Sequence, residues 1–167
     1  MKHLTVILSL SLIVFVSLSF TQQAKINGKA EDYHFAMLLD FTHASDHAQA
    51  LYNQAVAPYE FNIALAKESL EEIGKSLEVG RTHHALVHKS YTQAEQENIG
   101  ENHKVFLDCH TKAIEAHEIL KAEMAKPKPD LGKVKDLSAA IYQQTTKAIA
   151  QHKDVLKKLG IEFKVPS

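Results

Sequence analysis

Residues 103–117 read HKVFLDCHTKAIEAH, and His103, His110 and His117 fall at two successive intervals of seven. Seven residues advance an α-helix by about 700°, roughly 20° short of two turns, and by about 10.5 Å. The three imidazoles therefore share one helix face. Phe106, Ala113 and Leu120 occupy the interleaved positions beside them. In a heptad, two such columns are the ones that meet a neighbouring helix. Lys104, Asp108, Lys112 and Glu115 form a separate charged face. The stretch reads as a helix that turns histidines toward its neighbours, and it sets the fold as helices packed on helices.

Working outward, Ile99-Gly100-Glu101-Asn102 reads as a break, with Gly ending one helix and Asn capping the next. The third helix is then expected over His103–Ala125. KPKPD (126–130) is a stiff turn whose Asp130 can cap a fourth helix. That helix carries Val134, Leu137, Ile141, Ala148, His152, Val155 and Leu159 at helical steps, and Gly160 ends it. Upstream, Phe35, Leu38, Phe41, Leu51 and Val56 mark a first helix over Glu31–Val56, bounded by Pro58. A second stripe runs through Ile63, Ala66, Leu70, Ile73, Leu77, Gly80, His84, Val87 and Tyr91. It keeps its phase across Gly80, so one helix is expected from near Pro58 to about Asn98. Ala, Leu, Glu, Lys and Gln are abundant and no strand pattern appears. The expected fold is all-α: an up-and-down four-helix bundle in one domain over residues 31–159.

A signal peptide is expected to precede the bundle. Lys2 is followed by an uncharged apolar run from Leu4 to Phe20, and then by polar residues. That is the secretory pattern, with cleavage placed after Thr21 and residues 1–21 removed. The expected location is periplasmic or secreted. Loss of Lys2 leaves 18 basic residues against 20 acidic ones. This near-neutral balance excludes nucleic acid as a partner, since phosphate binding needs a basic face. The mature domain is not expected to be membrane-embedded. Cys109, the only cysteine, reads as a buried thiol, an intermolecular bridge or a soft metal ligand. A homodimer is one candidate assembly.

Ten of the eleven histidines lie beyond residue 21. His43/His47 and His84/His88 are both HxxxH pairs, whose i, i+4 spacing puts two rings on one face. Asp40 and Asp46 flank the first pair as candidate ligands or as acceptors that fix an imidazole tautomer. Members of the 103/110/117 line are too far apart to share an ion, because metal–nitrogen bonds are about 2.0–2.1 Å. Each must find partners on another helix. A turn centred between residues 127 and 128 sets His152 level with His103. A turn centred near residue 100 sets His88 near His110 and His84 near His117. His83 points about 100° away from His84. His34 reads as a surface residue near a helix start, and the five tyrosines as bundle-edge aromatics.

These positions make His43, His47, His84, His88, His103, His110, His117, His152, Cys109 and Asp40 the candidate metal ligands. Copper, zinc or nickel is the expected ion. The expected function is storage, buffering or delivery of that ion by a non-catalytic bundle. One alternative is a structural or interaction module with no bound metal, in which the histidines are polar core and surface groups. Another is a dinuclear iron protein that binds oxygen or does redox chemistry. Haem of the c type is excluded by the lack of CxxCH. A ferritin-like di-iron site needs two ExxH motifs, and only Glu31/His34 fits. Glu95 and Asp108 are the carboxylates a dinuclear site would draw on.

Overall fold

A computed structural model describes residues 30–57 and 59–161. The expected signal peptide, residues 1–21, lies outside them. Four helices follow in order: α1 (Ala30–Val56), α2 (Ile63–Ser90), α3 (Gln93–Met124) and α4 (Leu131–Lys158). No strand occurs among the described residues. Each helix packs against the next and α4 returns to α1, which gives the up-and-down bundle. The α2–α3 seam is the thinnest of the four. No helix among the described residues is long and apolar enough to cross a membrane.

The termini show why each helix stops where it does. Asn62 caps α2 by accepting from the Leu65 amide at 3.1 Å. Asp130 caps α4 by accepting from the amides of Gly132 and Lys133, and its own amide donates to Glu123. Gly160, with φ of 67°, takes the left-handed conformation that ends α4, and the Ile161 amide donates back to the Leu156 carbonyl. Each cap supplies partners for end groups that a helix cannot satisfy internally.

The second and third helices divide differently from the sequence reading. The break falls at Tyr91-Thr92, not at 99–102. Thr92 accepts from the Glu95 amide at 3.3 Å, while the Thr92 amide donates to the Glu95 carboxylate at 2.7 Å. This capping box satisfies two end donors at once. Gly100, taken as a stop, sits inside α3 with open space around it, and its neighbour Ile99 is buried. Gly80 does not break α2. A Cβ there would lie 2.8 Å from Phe41 Cε2, so Gly80 serves close packing of α1 on α2.

The core is one cluster from all four helices: Met37, Phe41 and Leu51 from α1, Ile73 and Leu77 from α2, Phe106 and Leu120 from α3, and Val134 and Ile141 from α4. Phe41 stands at its centre, edge-on to Phe106 (5.1 Å) and to His110 (5.3 Å).

Candidate functional site: a histidine apex

One end of the bundle gathers the start of α1, the end of α2, the start of α3 and the end of α4. Five histidines meet there: His34, His84, His88, His103 and His152. His34 Nδ1 lies 2.8 Å from His152 Nε2, with the rings stacked. His84 Nε2 lies 3.2 Å from His103 Nδ1, again between stacked rings. His88 stands with its ring centroid 4.4 Å from that of His103 and 6.3 Å from that of His84. Phe106 forms the floor, stacked on His84 at 4.6 Å and 6.1 Å from His152. Tyr91 closes the corner beside His34 and His88.

Burial keeps four of the five rings neutral. His34 is 1% exposed and its pKa falls to about 4, through desolvation. Desolvation lowers His152 to about 3, and a charge on His34 or His84 would lower it further. His84 is likewise desolvated to about 3, with His103, His88 and His110 adding repulsion. His103 shifts down for the same reason, and then through His88. Burial raises the Tyr91 phenol, so it too stays uncharged. Near pH 7 these groups therefore act as hydrogen-bonding rings and lone-pair donors, with no cationic patch. His34 Nε2 is buried and has no hydrogen-bond partner.

The heptad line does not act as a unit. His103 belongs to the apex, while His110 and His117 are fastened to α2 one and two heptads further along. His110 Nε2 donates to the Leu77 carbonyl at 3.1 Å, and His117 Nε2 donates to the Leu70 carbonyl at 3.0 Å. Both rings are buried. The expected pairs His88–His110 and His84–His117 do not form. Moving the α2–α3 turn from about residue 100 to Tyr91-Thr92 slides α3 along α2, so that His84 and His88 meet His103 instead. His103 and His152 do reach the same end, but the direct partner of His152 is His34. The surface reading of His34 is overturned. A turn midway between Val56 and Ile63 sets residue 34 level with residue 85, the signal that would have found it.

The remaining candidates stand apart. His43 is exposed and His47 half-buried, and neither contacts the apex rings. Asp40 instead accepts from His83 Nδ1 at 2.7 Å. Cys109 lies in the apolar core, where burial raises its thiol pKa and leaves it unreactive. The two carboxylates considered for a dinuclear site are engaged elsewhere: Glu95 in the Thr92 capping box, Asp108 with Lys112 at 2.7 Å. Among the described residues, no three His, Cys, Asp or Glu side chains stand together as a ready ligand set.

Beside His117 a groove of about 470 Å³ runs between α2 and α3. Gly74 on its α2 wall lets His117 approach, since a Cβ there would lie 2.8 Å from His117 Cε1. Gly74→Ala would gain about 1 kcal/mol of helix propensity. It would also push His117 off the Leu70 carbonyl, at a cost of about 1–3 kcal/mol for a buried group left unpaired. The expected net effect is a loss of up to about 2 kcal/mol. In a His117→Ala background the same substitution should stabilise. Urea titration of the four proteins checks this, and an equal effect of Gly74→Ala in both backgrounds would refute it.

Comparison with protein-family models, curated proteins and solved structures gives no match.

Proposed function

We propose that this protein is a non-catalytic structural or interaction module, a four-helix bundle whose histidines are polar core groups and whose fold is complete without metal. The supporting observation is how the interior imidazoles are engaged. His34 and His152 hydrogen-bond one another, as do His84 and His103, while His110 and His117 use backbone carbonyls of α2. Buried polar groups that find such partners cost little, whereas unpaired ones cost about 1–3 kcal/mol each. The far end of the bundle offers the surface for a partner. Val56, Tyr59, Ile63 and Leu131 are exposed there, around the α1–α2 connection and the start of α4.

The test is the fold of the protein stripped with EDTA. A cooperative thermal transition by circular dichroism, with dispersed side-chain NMR signals, is the expected result. A molten or unfolded chain that recovers only on adding metal would end this reading.

A further inference from the structure

We propose that the apex is also a reversible site for one divalent transition-metal ion of borderline softness, such as zinc, copper or nickel, held by His84, His88 and His103. The site is added to a fold that is complete without it, so it goes beyond the module reading and can fail alone.

The geometry separates the two imidazole pairs. Two nitrogens on one tetrahedral ion, with bonds of about 2.0–2.1 Å, stand about 3.3 Å apart. His84 Nε2 and His103 Nδ1 are 3.2 Å apart, whereas His34 Nδ1 and His152 Nε2 are 2.8 Å apart, an ordinary hydrogen-bond length. An ion can replace the bridging proton of the first pair with little movement. That proton shifts to the other nitrogen of the same ring, and both imidazoles stay neutral. His88 supplies the third ligand. It lies one turn beyond His84 on α2, its ring is already beside His103, and it is half-buried, so rotation about its side-chain bonds brings a nitrogen in from the solvent side.

Neutral imidazoles suit zinc, copper and nickel. No carboxylate hydrogen-bonds any of the five apex rings among the described residues, so nothing in the first layer favours magnesium or calcium. A count of nitrogens points the same way. The four rings of the two hydrogen-bonded pairs carry eight nitrogens, and the two bonds use four of them. One remaining nitrogen, His34 Nε2, is buried without a partner. A hydrogen-bonded array with nitrogens to spare is what a removable ion would leave behind.

The experiment uses the full chain without a histidine tag, titrated calorimetrically with Zn²⁺ and followed optically with Co²⁺. One ion per chain is expected, with a Kd below about 10 μM. His88→Gln and His103→Gln should each weaken it at least tenfold, while the His43→Gln/His47→Gln protein binds as before. Melting in EDTA checks that each variant is folded. Should His103→Gln fail that check, His88→Gln decides, because its ring is half-buried and unpaired with another histidine nitrogen. Absence of binding at 10 μM, binding unchanged in a folded His88→Gln protein, or loss of binding on removing His43 and His47 would each overturn the proposal. All three leave the metal-free fold intact, and only an unfolded EDTA-treated protein would count against the module reading.

Discussion

Acidification is expected to destabilise the metal-free bundle progressively between about pH 6.5 and pH 4. In the unfolded chain His34 and His152 protonate near 6.5, the ordinary value. In the folded protein burial holds them neutral down to about 4 and about 3. Between those limits the unfolded chain binds more protons, so stability falls as pH falls. Their contribution is fully present above about pH 6.5 and is lost as pH drops through the folded values. Each histidine costs about 1.4 kcal/mol per pH unit in that window. Together they remove roughly 3–5 kcal/mol by pH 4.5, a large part of the 5–15 kcal/mol typical of a domain.

Guanidinium unfolding at pH 7.5, 6 and 4.5 in EDTA should show a midpoint that falls steadily, and a flat profile would refute the assignment. Replacing both rings with apolar groups, His34→Leu together with His152→Leu, should make the profile shallower at little cost near pH 7, leaving the slope that buried His84 contributes. His152→Leu alone should destabilise, because it leaves His34 Nδ1 without its partner. Removing both members of a buried pair is often nearly neutral, whereas removing one strands the other.

Phe41→Ala is expected to cost about 3–5 kcal/mol. The ring is buried in the core and touches two other helices: it lies under Gly80 of α2 and against Phe106 and His110 of α3. Its removal leaves a cavity that no neighbour fills easily. Gly80 has no side chain to extend, and His110 is tethered to the Leu77 carbonyl. Phe41→Leu, which keeps most of the volume, should cost under about 2 kcal/mol. Denaturant midpoints at constant m-value provide the measurement. A loss below 1 kcal/mol for the alanine variant would mean that α1 does not pack on α2 and α3 through this ring.

Much of the bundle is legible from periodicity. Spacing alone places Val134, Ile141, Ala148, His152 and Val155 on one face of α4, and all are buried. Asp130 and Gly160 mark helix ends through a capping side chain and a left-handed backbone, which are local properties. The mistaken break at Ile99–Asn102 shows the limit of local signals. Gly100 and Asn102, two residues apart, resemble a stop and a cap, but the Thr92/Glu95 capping box ten residues before Asn102 supplies the actual helix start. That displacement changed which histidines face which.

The candidate site depended on that register more than on motif. HxxxH at 43/47 and at 84/88 are equivalent as strings, yet one pair lies on the outer side of α1 and the other borders the apex. His34 belongs to no HxxxH pair, yet it is the most deeply buried of these histidines. Two helices meet at heights fixed by the turn between them, and a shift of several residues in a turn moves a side chain about twice as far along its partner.

Composition and spacing by themselves determined that this chain makes four amphipathic helices, that histidines lie on their inner faces, and that the balance of charge is near neutral. Those are properties of one helix at a time, set by a period of 3.6 residues and by the residues able to start or end it. The tertiary structure alone decided that His34, His84, His88, His103 and His152 share one end while His110 and His117 bind backbone carbonyls. Packing sets the height and rotation of each helix against the others, and groups distant in sequence become neighbours only through it.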